Sequence, residues 1–369
     1  MKITKVNTYV LKKKLLSTMH ISRGGLRVRS HAIVEVETDT GITGLGEGVG
    51  NTSAVGAILE RDLAPRAIGL NPMAIEQVRE ALLDSHVYFE RKGSVVAAAS
   101  AIEMACWDIK AKALKVPLYE LLGGSFQPEM EAYVSSLYWE EDPGDMAAHA
   151  RGIYEQGFRA FKVHLGCRPP EEETVRIRAV REAIGTQSRL MIDLNAGYDY
   201  LAALRACRLW EPFDLTWIEE PLNPNLVDRM ADLRRHSSIP LAAGENEFRV
   251  FGFKELFEKR AIDIAMPDIA RVGGIQETKN VCVLAGSHGL TVSPHCFSSG
   301  ILLAATLHLM ASTPGTQWVE FDASDNAIYQ ELFVEPVKVS KGKITVPTGL
   351  GLGVELRRSV LEKYLEASS

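Results

Sequence analysis

Polar residues follow short apolar segments at nearly constant intervals between residues 160 and 320. The apolar segments end in Lys162 and His164, and then in Asp193, Glu219, Glu245, Asp268, His295 and Glu320. From Asp193 onward, successive members are 26, 26, 23, 27 and 25 residues apart, which is the length of one strand followed by one helix. At least seven such units predict a closed parallel barrel, whose carboxyl-terminal rim gathers side chains from different strands into one site.

Two further regions flank the predicted barrel. Residues 2–47 alternate polar and apolar side chains around a turn signal at 39–41, whereas residues 53–122 have helical periodicity. Alternation returns in the tail, at 332–356. We therefore predict an α/β fold, a modified TIM barrel of (β/α)7β type with an N-terminal α+β capping domain that the C-terminal tail completes. The expected division is capping domain 1–125, barrel 126–325 and C-terminal segment 326–369.

The composition excludes several classes of partner. The net charge of -6 and the scattered basic residues favour neither nucleic acid nor an acidic surface, and no apolar run reaches the roughly 20 residues of a membrane span. We expect a small-molecule carboxylate as the partner, and a homo-oligomer. Residues 1–16 are typical of a strand rather than of a signal peptide, and the five cysteines contain no CxxC pair. We therefore expect reduced thiols and a cytoplasmic location.

Three of the phased residues are carboxylates that follow one another along the rim. Asp193, Glu219 and Glu245 would repel one another in a half-buried site unless a cation neutralised them. A ligand set made only of oxygens suits a hard ion such as Mg²⁺, with Mn²⁺ as a possible substitute, and argues against zinc. The sequence therefore predicts a magnesium site.

Basic side chains lie on either side of this carboxylate set. Lys162 and His164 are two residues apart on one strand and so share a face, and Asp268 precedes His295 by one barrel unit. A carboxylate at that distance could orient the imidazole. We predict an acid/base group on each side of a metal-bound substrate.

Several ordered motifs run nearly the length of the chain. They are Ala101-Ile102-Glu103-Met104-Ala105-Cys106-Trp107-Asp108, Leu121-Leu122-Gly123-Gly124, Ile192-Asp193-Leu194-Asn195, Trp217-Ile218-Glu219-Glu220-Pro221-Leu222, Ala243-Gly244-Glu245, Met266-Pro267-Asp268, Ser293-Pro294-His295 and the segment 347–353. With these motifs the sequence resembles the mandelate racemase and muconate lactonizing branch of the enolase superfamily. The resemblance implies metal ligation by Asp193, Glu219 and Glu245, a His295/Asp268 general base pair, and Glu320 hydrogen-bonded to a substrate carboxylate.

One position departs from the pattern of that family. The family often has Lys-x-Lys on the second barrel strand, with the second lysine as a base, whereas this chain has Lys162-Val163-His164. By position, His164 would be the base and Lys162 would stabilise carboxylate or enolate charge. An imidazole titrates near neutrality, so base chemistry remains possible, and the alternative is that His164 is only a polar pocket residue.

The N-terminal region offers candidate lid residues. His20, Arg23, Arg27 and Arg29 make one segment cationic, which would suit an acidic substrate, although a solvated basic loop has the same pattern. Gly44, Gly46, Gly48 and Gly50 predict a flexible loop, and in the resembled family this region is a lid. Asn195, two residues after Asp193, is a further candidate for substrate contact. Ser135, Tyr138 and Trp139 could face the substrate as well, but strand residues of these types are often simply packed.

The expected activity is Mg²⁺-dependent removal of the proton next to a carboxylate, giving an enediolate. We expect dehydration of a sugar acid to a 2-keto-3-deoxy acid. Two facing bases would serve a racemase or epimerase equally well, and a cycloisomerase is a third alternative. A non-catalytic binding protein on the same scaffold is disfavoured, because the three carboxylates, His295 and Asp268 are all present.

Overall fold

The N-terminal region is a three-stranded antiparallel sheet followed by helices. The structure is a computed structural model, and it describes residues 1–84, 90–324 and 326–366. The sheet contains β1 (Ile3–Ile21), β2 (Gly24–Thr38) and β3 (Thr43–Gly48), in that order. The helices are α1 (Thr52–Ile58), α2 (Ala64–Ala67), α3 (Ile75–Arg79), α4 (Ser94–Ala113) and α5 (Leu118–Leu122), with π-helical turns at Leu59–Leu63 and Glu80–Asp84.

The glycines at 44, 46 and 48 lie in strand β3, so the expected flexible loop is wrong for these three, whereas Gly50 lies in a bend after the strand. Alternate residues of a strand share a face, and this face packs against the backbone of α4. A Cβ at Gly44 or Gly46 would overlap a carbonyl oxygen of α4, and one at Gly48 would lie 2.6 Å from the carbonyl oxygen of Ala97. The repeated glycine therefore allows close sheet–helix packing.

The barrel is built from parallel strands that alternate with helices. The strands are β4 (Glu129–Leu137), β5 (Ala160–His164), β6 (Arg189–Asp193), β7 (Trp217–Glu219), β8 (Leu241–Ala243), β9 (Ile264–Ala265), β10 (Thr291–Val292) and β11 (Val319–Phe321). The helices are α6 (Pro143–Glu155), α7 (Pro170–Ile184), α8 (Tyr200–Trp210), α9 (Val227–His236), α10 (Arg249–Glu258), α11 (Ile269–Val272), α12 (Ile275–Ser287) and α13 (Gly300–Ala311), with a 3-10 turn at Glu211–Phe213.

The barrel closes through its last strand. Strand β11 pairs in parallel with β4, and the segment before β11 reaches β10, where Gln317 N donates to Val292 O at 2.8 Å. The arrangement is therefore (β/α)7β, as the sequence predicted. A layer of buried side chains fills the interior and includes Tyr133, Met191 and Trp217. This layer makes the barrel a packed core and confines the polar residues to its rim.

The C-terminal segment contacts both other regions. It contains α14 (Ala327–Gln330), β12 (Val339–Ser340), β13 (Lys343–Thr345) and α15 (Arg358–Tyr364), and β13 pairs antiparallel with β4. Farther along, Leu352 N donates to Asp108 Oδ1 at 2.8 Å, and Glu366 N donates to Val10 O at 2.8 Å. The predicted domain boundaries stay predictions, and residues 325 and 367–369 lie outside the described residues. Among the helices of the described residues, none is long and apolar enough to cross a membrane.

Candidate active site

The rim residues meet because the strands pair in register. His164 pairs with Asp193, and Asp193 pairs with Glu219, across strands β5, β6 and β7. Glu245 follows β8 by two residues. Parallel strands in register place equivalent positions at one edge, so the sequence spacing becomes a cluster in space.

Asp193, Glu219 and Glu245 each offer an oxygen within 4.8 Å of the others. Asp193 and Glu219 are buried, whereas the Glu245 side chain is 19% exposed to solvent. Burial raises the pKa of Glu219 to about 8, although Lys162 opposes this. The Glu219 Oε1 atom is buried and has no hydrogen-bond partner among the described residues. An all-oxygen donor set with an orphaned carboxylate oxygen fits a hard divalent cation such as Mg²⁺.

Lys162 lies beneath this cluster as a buried cation. Its Nζ is 2.9 Å from Glu219 Oε2, 2.8 Å from Glu320 Oε1 and 3.7 Å from Asp193 Oδ2. Burial alone would lower the pKa of Lys162, but the charges of Glu219 and Glu320 hold it well above its usual value. The surrounding carboxylates therefore favour the positively charged form of Lys162.

His164 stands at the Asp193 edge of the cluster. Its Nδ1 is 3.1 Å from Asn195 Oδ1 and 3.5 Å from Asp193 Oδ2, and its Nε2 is 3.4 Å from Ser135 Oγ. Burial lowers the pKa of His164, against the attraction of Asp193. The Asn195 amide also donates to Asp193 Oδ2 at 3.0 Å, so Asn195 holds both neighbours in place.

His295 stands at the Glu245 edge. Its Nδ1 is 2.6 Å from Asp268 Oδ2, and its Nε2 is 3.0 Å from Glu245 Oε2 and 3.8 Å from Glu320 Oε2. Burial would lower the pKa of His295, but the three carboxylates raise it well above its usual value. Asp268 is itself fixed, because its Oδ1 caps helix α11 by accepting from Ala270 N at 2.8 Å.

Glu320 completes the floor of the site. Its Oε2 accepts from Cys296 N at 2.8 Å, and its pKa lies well below the usual range because Lys162 and His295 outweigh the effect of burial. Cys296 is a buried free cysteine.

The candidate lid residues His20, Arg23 and Arg27 are all exposed and differ in the cavities that they line. Arg23 is exposed and lines a cavity of about 380 Å³ together with Asn195 and Glu245. His20 is exposed and packs edge-on against Trp139 beside a second cavity of about 1070 Å³. Arg27 is exposed and lines neither of these two cavities. Arg23 is thus the one of the three candidates that shares a cavity with a carboxylate of the triad.

Two family descriptions match the chain. Residues 5–123 match the mandelate racemase / muconate lactonizing enzyme N-terminal domain, and residues 145–360 match the enolase C-terminal domain-like family. The chain belongs to the mandelate racemase and muconate lactonizing enzyme family of the enolase superfamily. The resemblance inferred from the motifs is confirmed.

Named relatives within the superfamily carry different activities. D-galactarolactone cycloisomerase from Agrobacterium fabrum is 32% identical over 99% of both chains, and arabinonate dehydratase from Saccharolobus solfataricus is 31% identical over 89% of both. A racemase structure from Streptomyces coelicolor, with bound magnesium, is 27% identical with a TM-score of 0.91, covering 99% of this chain and 100% of that one. Dehydratases, cycloisomerases and racemases are all similar to this chain.

The structure adds residues that sequence reasoning did not assign to the site. Glu220 is buried, and its Oε2 accepts a hydrogen bond from Asn246 Nδ2 at 2.7 Å. Burial, and to a smaller extent the charge of Glu245, raises the pKa of Glu220 well above its usual value. Of the residues whose role the sequence left open, Tyr138 stacks on His164, and Arg29 of the capping region donates to the Tyr138 hydroxyl at 3.2 Å. Glu220 and Asn246 directly follow candidate ligands, which is the signal that could have identified them.

Proposed function

We propose that this enzyme removes the proton next to a substrate carboxylate in an Mg²⁺-dependent step and then eliminates water from a sugar acid, giving a 2-keto-3-deoxy acid. One observation carries the proposal, namely an imidazole at each of two edges of the carboxylate cluster. His164 lies 3.5 Å from Asp193, and His295 lies 3.0 Å from Glu245. A carboxylate substrate at the cluster would have an acid/base group on each side. The dehydratase names among the relatives support elimination of water as the outcome.

Asp193, Glu219 and Glu245 are the proposed ligands of one Mg²⁺ ion, and Mn²⁺ would suit the same oxygens. When bound, the ion supplies positive charge that stabilises the substrate carboxylate as proton loss makes it more negative. The orphaned Glu219 oxygen and the magnesium in the Streptomyces racemase support this proposal.

Lys162 and Glu320 are proposed to hold the other side of the substrate carboxylate. Lys162 would add a second positive charge to the enediolate, since its neighbours keep it protonated. Glu320 would share a proton with a carboxylate oxygen. A bound substrate brings negative charge that raises the pKa of Glu320, which favours that shared proton.

In the proposed reaction, a base takes the proton from C2, the electrons of the broken C2–H bond form a double bond between C2 and the carboxylate carbon, and a C–O π pair moves onto a carboxylate oxygen to give the enediolate. The carboxylate then re-forms, the electrons shift to make a C2–C3 double bond, and the C3–oxygen bond breaks as an acid protonates the departing hydroxyl to water. The enol left at C2 loses its O–H proton and gains a proton at C3 to become the 2-keto acid. His295, oriented by Asp268 at 2.6 Å, is the proposed principal acid/base, and His164 is the second. The net change is loss of one water molecule followed by tautomerisation, so no oxidant or reductant is needed.

A racemase or epimerase of a 2-hydroxy acid or amino-acid derivative is the second candidate, because the same pair of histidines could deliver a proton to either face. A cycloisomerase is the third, supported by the galactarolactone relative. Neither isomerase reaction releases water.

We further propose a small-molecule carboxylate as the only class of partner besides further copies of the chain, and a cytoplasmic homo-oligomer as the working form. The division into residues 1–125, 126–325 and 326–369 belongs to the same proposal.

The test is a screen of sugar acids for 2-keto acid formation by the full chain with Mg²⁺ present. We expect turnover that chelation abolishes and added Mg²⁺ restores, and the His295→Asn variant serves as the inactive control. Full turnover after exhaustive chelation, or a zinc ion found at the cluster by metal analysis, would contradict the metal proposal. Inversion at C2 without release of water would replace the dehydratase by the racemase.

A further inference from the structure

Arg29 differs from the other cationic residues of the capping region. Arg23 and Arg27 are exposed, whereas Arg29 is 6% exposed. It lies on strand β2, whose alternation turns its side chain to the opposite face from its immediate neighbours. A buried guanidinium requires partners, so its contacts indicate what it does.

Those contacts join the capping region to the barrel rim. Arg29 Nη2 lies 3.0 Å from Asp322 Oδ2, 3.1 Å from Ser324 Oγ and 3.2 Å from Tyr138 Oη. The guanidinium also stacks 4.0 Å above the ring of Phe297, two residues after His295. Asp322 is buried, so the ion pair is shielded from solvent. Arg29 is therefore held from several sides, and Tyr138 Oη is one of the groups it fixes.

Tyr138 also contacts His164 in the candidate active site. Its ring lies parallel to the imidazole of His164, with the ring centroids 4.9 Å apart and an interplanar angle of 7°. Asn195 holds one imidazole nitrogen at 3.1 Å, but the contact of the other with Ser135 is long, at 3.4 Å. An acid/base histidine must keep one nitrogen free for the substrate proton. A stacked ring fixes the imidazole plane without occupying that nitrogen.

We propose that Arg29 and Tyr138 are positioning residues for His164: Arg29 anchors the Tyr138 hydroxyl, and the Tyr138 ring fixes the plane of the imidazole. The inference rests on the proposed acid/base role of His164. It makes the capping region part of the acid/base machinery, since one of its strands sets the orientation of a rim side chain.

The first experiment follows His164 directly and needs no substrate. Histidine labelled with ¹³C at Cε1 gives one NMR signal for each of the nine histidines, and His164→Asn identifies the signal of His164. We expect Arg29→Met to shift or broaden this signal, because Tyr138 would lose its anchor. Tyr138→Phe, which removes only the hydroxyl, should act in the same direction and covers the case that Arg29→Met does not fold.

Arg358→Met is the matched control. The Arg358 guanidinium forms an ion pair with Glu35, which lies on strand β2 as Arg29 does, and the Arg358 side chain is 55% exposed. We expect it to leave the His164 signal unmoved. A His164 signal that stays in place in both Arg29→Met and Tyr138→Phe would overturn the role of Arg29.

The second experiment is a double-mutant cycle of Tyr138→Leu and His164→Asn, measured on the sugar acid that the wild type turns over fastest. We expect Tyr138→Leu to lower kcat about tenfold or more with little change in KM, since small misplacements of a reacting group are costly. The double variant should lose no more than His164→Asn alone, because the two residues act as a unit.

The proposal would be overturned if the loss of kcat in the double variant equalled the product of the losses in the two single variants. It would also be overturned if Tyr138→Leu lowered kcat while His164→Asn kept full activity. Exchange of the C2 proton in D₂O is measured in the same variants. Exchange without 2-keto acid would contradict the dehydration proposal alone, while the cycle could still be evaluated from the exchange rates.

Discussion

Replacing Glu219 by Gln should change the pH dependence of stability in the metal-free protein. Glu219 is fully buried, and its carboxylate meets the charges of its neighbours on the rim and floor, namely Lys162, Asp193, Glu245 and Glu320. Burial is the largest of the effects that raise its pKa, to about 8. Gln has the shape of the protonated carboxyl group, so the variant mimics the form that the folded, metal-free protein prefers below that pH.

The sign and size follow from proton binding. Between the unfolded pKa of about 4.5 and the folded pKa of about 8, the folded state holds a proton that the unfolded state has lost. The free energy of unfolding therefore falls as pH rises through this window. The upper limit of the loss is about 5 kcal/mol, and shared titration with the neighbouring carboxylates will reduce it. Glu219→Gln should remove this part of the slope.

The assay is urea unfolding in the presence of a chelator across this pH range, for wild type and variant. Glu245→Gln is the comparison at a neighbouring carboxylate whose pKa shifts the other way. His295 lowers the pKa of Glu245 to about 2 despite burial, so the ionised form of Glu245 stabilises the fold at neutral pH. This stabilisation is lost only as pH falls from about 4.5 to about 2, below the window in which Glu219 titrates. Equal pH slopes in wild type and Glu219→Gln would refute the reasoning, and added Mg²⁺ should stabilise only a protein with intact ligands.

Three further predictions concern the acid/base pair, the cationic residues and the glycine strand. His295→Asn should eliminate product formation, whereas His164→Asn should retain measurable C2 proton exchange in D₂O; near wild-type turnover by His295→Asn would disprove its role. Arg23→Met should raise KM for diacids more than for monoacids, with Arg27→Met as the control, and equal effects on both substrate classes would leave Arg23 a solvated residue. Gly46→Ala should lower the free energy of unfolding, measured by urea denaturation, by about 1–3 kcal/mol, because the new methyl group overlaps a carbonyl oxygen of helix α4. An unchanged midpoint would contradict that packing.

The rim cluster could be predicted because strand register converts chain distance into spatial position. Parallel strands separated by one helix bring residues about 25 positions apart to the same edge, so Asp193, Glu219 and Glu245 could be grouped before any coordinates were known. The Asp268–His295 contact follows from the same repeat, and its 2.6 Å distance agrees with that expectation.

Only the tertiary structure distinguished residues that look alike in the sequence. Arg23, Arg27 and Arg29 form one cationic segment, yet only Arg29 turns inward to meet the barrel. The glycines of β3 resemble those of a loop until α4 is seen to pack against them. Tyr138 could have been an ordinary packed residue, and the structure shows it stacked on His164 while its hydroxyl contacts Arg29 of strand β2. A repeat within the barrel is periodic in sequence and can be predicted from it. A contact between the capping region and the barrel joins two segments that share no sequence repeat. Whether such a contact forms is therefore decided by how the two regions pack together.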